Sequence, residues 1–355
     1  MRRLPRLALI LFCLAYVLPG FLGREPWKNA DVSALGAMLE MASGNSSWWQ
    51  PQVLGVAADV AGPLPYWLGA VFIRFLPFLN ADSAARIPFA LLLALTLVCT
   101  WYAVYHLARQ KSAQPIAFAF GGEANPVDYA RSLADAGLLA LVACLGLAQM
   151  SHETTPDLAR LAMVSALLMA AARLAHADDR HPWRSMLLWS LSALALVLSG
   201  APWVALSLGS GLLLALLVMG SRPGEALHPL LPSAAALLIM AVGLGALTGQ
   251  MNWPALGLPV GFDDWRRWGR LLVWFTWPAW PLVLWTLWGW RRQLLSPHVA
   301  LPLWAMLVSV VNSAINADFD RALLLALPAM AALAAFALPT LRRSVSALID
   351  WFTLI

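Results

Sequence analysis

The first group of residues that could do chemistry lies between positions 23 and 33, directly after an apolar run. It contains two acids and two bases, namely Arg24, Glu25, Lys28 and Asp31. Read as structure alone, Asp31 or Ser33 caps a helix, while Arg24 and Lys28 contact lipid phosphates. Read as function, this cluster of opposite charges binds or transforms a ligand at a membrane surface. Both interpretations stay open on the pattern alone.

A second polar group consists of His152, Glu153 and Asp157. A histidine with carboxylates is a donor set that could hold a divalent metal or contact a phosphate group, and Glu153 and Asp157 would share one face of a helix that began early. The alternative is a helix start, with Thr154 or Thr155 as the cap. Pro156 would then occupy the first turn and Asp157 would favour the helix dipole.

A third mixed segment, 262–268, combines two acids, two arginines and three aromatic residues. Arg266 and Arg267 together with tryptophans suit a surface for sugar and phosphate. The same composition is also typical of an interfacial helix that anchors a membrane span.

The elements that must position these groups are apolar helices. Of the 355 residues 61% are hydrophobic and 12% are charged, whereas soluble domains have roughly half apolar and a quarter charged residues. Apolar runs long enough to cross a bilayer recur along the chain, which predicts one all-α polytopic transmembrane domain over 1–355 with about ten spans. The predicted spans are approximately 7–23, 85–107, 133–150, 157–176, 185–200, 202–219, 229–249, 270–290, 299–316 and 322–340.

The arginines between these runs predict the topology. If Arg2, Arg3 and Arg6 are cytoplasmic, the alternation of the spans places five further basic connectors in the cytoplasm, in agreement with the positive-inside rule. These connectors contain Arg109 with Lys111, Arg180 with Arg184, Arg222, Arg291 with Arg292, and Arg342 with Arg343. The segments expected outside are 24–84, 151–153, the turn at Gly200, 250–269 and 316–320. All three polar groups therefore fall on the outer side. The first apolar run is expected to be an uncleaved span, because no small-x-small cleavage site follows it.

The same distribution excludes other classes of protein. The net charge of +5 lies at the ends of apolar runs and forms no basic face, so nucleic acid is not an expected partner. Cys13, Cys99 and Cys144 each lie inside an apolar run and form no metal-binding pair. Almost no ionisable residue lies between the ends of the spans, which argues against a transport path through the bundle.

The loop 24–84 is too long for a connector and has apolar patterning of its own. The spacing of apolar residues predicts one helix over 31–43 and another over 63–79, both lying along the outer membrane surface. The aromatic residues of this loop fit the interfacial belt of membrane proteins. They are Trp48, Trp49, Tyr66 and Trp67.

Five stretches occur in an order that points to a known family. They are the charged segment 23–33, 62–69 (GPLPYWLG), 84–88 (AARIP), 151–157 (SHETTPD) and 274–281 (WFTWPAWP). In this order they resemble the polyprenyl-phosphate-sugar-dependent glycosyltransferases of the GT-C fold, especially aminoarabinose transferases and protein mannosyltransferases. The resemblance covers about 6–165 and 265–350; the middle third is similar only in hydropathy.

This resemblance implies a GT-C-like bundle at a bacterial-type inner membrane, for which the arginine positions predict a cytoplasmic N-terminus. It implies transfer of a sugar from a polyprenyl phosphate to a lipid or protein acceptor at the outer face. A sugar phosphate already has a good leaving group, so one carboxylate suffices as general base and cations stabilise the departing phosphate. By motif position Asp31 is the first candidate for the base and Glu25 the second. The candidates for binding substrate or phosphate are Lys28, Arg86, Tyr66, His152, Glu153, Arg266 and Arg267. The expected partners are the donor, the acceptor and membrane lipids, and the one candidate cofactor is a divalent metal.

The chain departs from the family pattern at two positions. Val32 stands where the family usually has a glutamate after the aspartate, and Ala61 stands where it has a lysine. Family members also usually continue beyond the position where this chain ends, so a shortened relative or a fragment is expected. A catalytically silent relative that acts as a membrane scaffold or partner subunit is therefore the alternative, and a transporter is the third reading.

Overall fold

The computed structural model describes residues 5–23, 26, 29–58, 62–115, 125–176, 181–218, 243, 261–316 and 319–341. These residues are predominantly helical. The helices are α1 (Arg6–Phe21), α2 (Asn29–Ser43), α3 (Leu64–Phe75), α4 (Ala81–Ala108), α5 (Pro126–Ala143), α6 (Leu145–Met150), α7 (Pro156–Leu174), α8 (Pro182–Leu198), α9 (Pro202–Val218), α10 (Phe262–Phe275), α11 (Ala279–Gly289), α12 (Pro297–Ile315), α13 (Phe319–Leu323) and α14 (Leu327–Ala335). Short 3₁₀ turns lie at Lys111–Ala113, Leu324–Ala326 and Leu338–Thr340, and two short strands are β1 (Gln52–Val53) and β2 (Val56–Ala57).

The centre of the bundle is formed by α4 and α7, which pack along each other. Helices α3 and α5 cover α4, and α8 covers α7. Helix α14 is buried along its whole length, and it packs against α5, α11 and α12. Several helices begin with proline at the first position, where the missing N–H has no partner to lose and the ring presets the helical backbone.

Three described helical segments are long and apolar enough to cross a membrane, namely Ala81–Ala108, Pro297–Ile315 and Phe319–Thr340. The pair Phe262–Phe275 and Ala279–Gly289 passes the same criteria together but is bent by 91°. The predicted number of about ten spans is therefore inexact. The run 270–290 is not one helix, and the run 133–150 is interrupted at Cys144 between α5 and α6. The span predicted at 229–249 falls outside the described residues apart from position 243.

Contacts between distant residues define two ends of the bundle. At one end, Asp31 meets Thr154 and Glu153 meets Arg321; this is the site end. At the other, the Ser112 hydroxyl lies 3.1 Å from Nδ1 of His298, and His106 at the end of α4 lies beside His176. This second end carries Arg109 and is named the arginine end. The segments expected on one side of the membrane thus meet at one end.

The first loop forms the two helices expected of it, although α3 ends at Phe75, before the predicted limit. Between them lies a hairpin that the sequence pattern did not predict. Its strands pair Val53 with Val56, and its two turn residues, Leu54 and Gly55, have positive φ angles of 52° and 80°. Hairpin turns of the primed types require positive φ angles and normally have Asn or Gly at these positions. Because the first turn residue here is Leu54, the sequence did not predict the turn.

Gly62 places the later part of the first loop on the α8–α9 turn. A Cβ atom at Gly62 would lie 2.2 Å from the backbone nitrogen of Gly200 and 2.5 Å from the carbonyl oxygen of Leu198. Only glycine permits this approach of two backbones. The glycine of the 62–69 motif therefore fixes this part of the loop at the site end.

Candidate active site

The carboxylate of Asp31 is held by a residue 123 positions away in the chain. Asp31 lies in the first turn of α2 and its side chain is 1% exposed. The backbone N–H of Thr154 donates to its Oδ1 at 2.9 Å, and the Thr154 hydroxyl donates a second, short hydrogen bond to the same oxygen. These two bonds fix the orientation of the carboxylate, which is what a general base requires.

The segment before α7 supplies both of these donors because it stays extended until Pro156. Thr155 is the N-cap residue, with φ −108° and ψ 157°, and its side chain makes no capping hydrogen bond. The helix thus begins at Pro156 with Asp157 in its first turn, in line with the second of the two interpretations of this segment. The Thr154 side chain, however, serves Asp31 rather than the helix.

Glu153 is paired with Arg321, an arginine that no sequence pattern assigned to the site. Its carboxylate, 1% exposed, lies 2.9 Å from Nη1 of Arg321 in α13. The same guanidinium nitrogen lies 3.7 Å from Asp157. A buried carboxylate requires such a partner because an isolated buried charge costs several kcal/mol. The segment 316–320 was expected on the outer side, so the arginine directly after it was the available signal.

Asp157 extends this network to the α8–α9 turn. It pairs with Arg160 at 2.9 Å, and Nε of Arg160 donates to the carbonyl oxygen of Ser199 at 2.9 Å. The first turn of α2, the segment before α7, the α8–α9 turn and α13 are thereby tied to each other at the site end.

The His152 ring lies against α1. Its Nε2 lies 3.0 Å from the carbonyl oxygen of Tyr16, so this nitrogen carries the proton and donates. Its Nδ1 lies 3.2 Å from the Ser151 hydroxyl, which in turn lies 3.3 Å from the Tyr16 hydroxyl. The imidazole also packs beside the Phe21 ring at 5.4 Å between centroids.

Gly20 makes room for this ring. A Cβ at position 20 would lie 2.0 Å from a carbon of the His152 imidazole. His152 therefore packs α1 onto the segment before α7.

Arg86 is buried near the start of α4, with 6% of its surface exposed. Its Nη1 lies 3.5 Å from the carbonyl oxygen of Phe21 and 3.9 Å from Asp82. Phe21 thus contacts both Arg86, through its carbonyl group, and His152, through its ring. The predicted phosphate ligand of α4 and the polar segment before α7 meet around one residue at the end of α1.

The remaining candidates lie at varying distances from this cluster. Tyr66 is buried in α3, which packs against α2 and α4. Arg266 and Arg267 are exposed on α10, which contacts α6 and α13 at the margin of the site. Glu25, Lys28 and Ala61 lie outside the described residues.

A metal site at His152, Glu153 and Asp157 gains no support from these contacts. Within the described part of the chain no group of three or more His, Cys, Asp or Glu side chains is arranged to hold a metal ion. The imidazole is directed to α1 and Glu153 to Arg321, so the sequence neighbours point to different partners.

The arrangement combines an oriented carboxylate with arginines at one end of a helical bundle. Such a set can accept a proton from a hydroxyl group and bind an anion beside it. No pair of catalytic carboxylates flanking a water position is required for this chemistry, in contrast to glycoside hydrolysis.

Comparison with known proteins gives structural similarity at low sequence identity. No family model and no curated protein sequence matches the chain. The structure is similar to that of ArnT from Cupriavidus metallidurans bound to undecaprenyl phosphate, with a TM-score of 0.70 and 17% identity over 98% of this chain and 62% of that chain. The apo state of the same protein gives a TM-score of 0.69 at 17% identity, over 96% of this chain and 61% of that chain.

A more distant match is the oligosaccharyltransferase of Archaeoglobus fulgidus tethered with an acceptor peptide, with a TM-score of 0.51 and 8% identity. The alignment covers 94% of this chain and 49% of that one. The chain therefore spans less than two thirds of the length of these structures. Identities at this level establish architecture alone, and the described helices show that architecture: the chain has the polytopic GT-C fold.

Proposed function

We propose that this protein is a membrane glycosyltransferase that moves a sugar from a polyprenyl phosphate to a lipid or protein acceptor, with Asp31 as the general base. The observation that carries the proposal is the carboxylate of Asp31, buried at the site end of a GT-C fold and oriented by two hydrogen bonds from Thr154. Both donors belong to the segment before α7 and not to the first turn of α2, so these two bonds do not cap α2.

The reaction balances with one base. Asp31 accepts the proton of the acceptor hydroxyl as its oxygen attacks the anomeric carbon of the sugar. The bond between the anomeric carbon and the phosphate oxygen breaks, and the polyprenyl phosphate leaves with the electron pair. Attack from the side opposite the phosphate inverts the anomeric configuration.

Cations stabilise the leaving phosphate in this proposal. Arg86 is the best supported of them because it is buried near the end of α1, next to the cluster that holds Asp31. Lys28 and the exposed pair Arg266 and Arg267 are additional candidates, and Glu25 is the second candidate for the base. An arginine offers several donors in a planar fork that matches phosphate oxygens.

The structural neighbours support the general kind of substrate. One is a structure of ArnT bound to undecaprenyl phosphate, and another is an oligosaccharyltransferase tethered with an acceptor peptide. A lipid-linked donor and a separate acceptor therefore suit this fold. We further propose a multi-pass inner-membrane protein with a cytoplasmic N-terminus and the site end on the outer face, because the connectors expected outside meet there.

The alternative is a catalytically silent scaffold or partner subunit, favoured by Val32 and Ala61. Val32 is 51% exposed beside Asp31, where the family usually has a second acid.

The experiment that distinguishes an enzyme from a silent scaffold is mass spectrometry of membrane lipids and glycoproteins from cells with and without the gene. Complementation uses the native chain, Asp31→Asn, Glu25→Gln and, as the matched control, Asp128→Asn in α5.

An enzyme predicts a glycosylated product that depends on the gene, disappears with Asp31→Asn and persists with Asp128→Asn. A scaffold predicts that Asp31→Asn and Asp128→Asn give the same profile when both variants insert normally. The Glu25→Gln variant tests the second candidate base in the same membranes.

A further inference from the structure

A polar region distinct from the candidate active site lies between α4 and α7 at the arginine end. It is a cavity of about 460 Å³ that opens at the surface of the bundle. Its lining residues are Leu95, Val98, Cys99, Tyr102, His106, Arg109, Met169, Arg173 and His176.

This lining changes from apolar to cationic along the helix axis. Leu95 and Val98 line the part nearer the middle of α4, and Arg109 stands at the C-terminal cap of the helix. With a rise of about 1.5 Å per residue, the lining extends for roughly 20 Å along α4. Leu95 and Val98 are 37% and 50% exposed, so the apolar part faces the surroundings of the bundle.

The cationic part is built from both helices. Arg173 comes from the last turn of α7, and His176 follows that helix with its ring 6.4 Å from that of His106. The Tyr102 ring stacks on His106 at 6.2 Å. None of the nine lining residues is acidic. Asp178 and Asp179, the nearest acids in the sequence after His176, lie outside the described residues.

We propose that this cavity binds an anionic membrane lipid, with a phosphate headgroup between Arg109 and Arg173 and an acyl chain along Leu95 and Val98. Arginines donate charge-assisted hydrogen bonds to phosphate, and basic pockets between membrane helices suit lipid headgroups. The C-terminal dipoles of α4 and α7 favour arginines without any ligand. That effect, however, does not account for the cavity between the two helices.

The lipid would join α4 to α7, the two central helices, far from the candidate active site. Arg86 and Arg109 are separated by 23 positions of one helix, which corresponds to about 35 Å. The proposal is therefore independent of the proposed glycosyl transfer, and a lipid at this site would act as a structural or regulatory ligand.

The test is native mass spectrometry of the purified full chain titrated with dioleoylphosphatidic acid, with dioleoylphosphatidylcholine as the zwitterionic comparison. The native chain should retain one phosphatidic acid molecule saturably. Arg173→Gln should weaken this binding roughly tenfold or more because one cation of the pair is lost. The matched control is Arg291→Gln, whose guanidinium is exposed beside Trp288 and outside the cavity; it should bind like the native chain.

Two further variants distinguish loss of the lipid site from misfolding of the chain. Val98→Trp fills the apolar part and should also weaken binding of the lipid, while Arg173→Lys keeps the charge and controls for misfolding. Equal loss with Arg291→Gln, or equal retention of phosphatidylcholine, would overturn the proposal because binding would then reflect general membrane affinity. Competition by inorganic phosphate alone at the lipid's concentration would also overturn it, since free phosphate would then be the ligand.

Discussion

Thr154 donates two hydrogen bonds to a single carboxylate oxygen of Asp31, one from its backbone N–H and one from its hydroxyl group. The pair joins the first turn of α2 to the segment that precedes α7. Orientation of the carboxylate is therefore shared between two parts of the chain, and it is accessible to mutation without touching Asp31 itself.

Thr154→Val should lower glycosyl transfer while leaving the chain folded. The variant keeps the backbone donor and a similar volume but loses the hydroxyl bond, and a hydrogen bond to a charged group contributes about 1.5–3 kcal/mol. Thr154→Ser retains the hydroxyl and is the matched control. Product is quantified by mass spectrometry at equal protein levels in the membrane; equal product from the Val and Ser variants would contradict an orienting role.

Removing one partner of the ion pair between Arg321 and Glu153 should lower the free energy of unfolding. Arg321→Met leaves a carboxylate that is 1% exposed without this partner, and breaking a buried pair typically costs about 3–5 kcal/mol. Thermal unfolding in detergent should show a clear loss.

The double variant Arg321→Met with Glu153→Gln should recover part of that loss because the orphaned charge is gone. Such coupling is expected between residues in direct contact. Additive effects of the two single variants would show that the pair does not interact energetically.

Gly20→Ala should destabilise the packing of α1 on the segment before α7. The added methyl group would lie 2.0 Å from the His152 ring, and overpacking of this kind costs about 1–3 kcal/mol. Combining Gly20→Ala with His152→Ala should remove the clash. Gly269→Ala is the control, since a Cβ there meets nothing within 4 Å; an equal effect of both glycine variants on thermal unfolding would refute the packing role of Gly20.

Arg86→Gln should weaken binding of undecaprenyl phosphate, the ligand held by the similar ArnT structure. Loss of one charge-assisted contact corresponds to roughly a tenfold change in affinity. Arg74→Gln, at the exposed end of α3, is the matched control. Binding is measured by native mass spectrometry with the lipid alone, and equal affinities for the two variants would contradict the assignment of Arg86 to the phosphate.

Hydrophobic runs and arginine positions predicted much of this structure. They predicted the helices of the first loop, and one of the two interpretations of 151–157 placed the start of α7 at Pro156. They also predicted that the polar segments lie together at one end of the bundle. These features follow from local spacing and from the cost of placing charges in a bilayer. The break after α10 was missed although Pro278 in the run 270–290 was an available signal for it.

The contacts between side chains at the site could not be predicted from hydrophobic runs and arginine positions. The sequence pattern indicated only a helix cap for Thr154 and gave no sign of the role of Arg321. Both act through partners more than a hundred positions away. Which partner a side chain takes depends on how helices pack, and local sequence spacing carries no information about that packing. The hairpin at Leu54 was missed for a different reason, since its turn residue breaks the usual preference for Asn or Gly.

The central claim is tested most directly by the amount of glycosylated product made per molecule of the Asp31→Asn variant in membranes, relative to the native chain. The exchange removes the base but keeps the size of the side chain. If Asp31 accepts the proton of the acceptor, product formation should fall by about 10²-fold or more, the usual contribution of a general base, while insertion and thermal unfolding stay near those of the native chain. Product formation within twofold of the native level would contradict the assignment of Asp31 as the base.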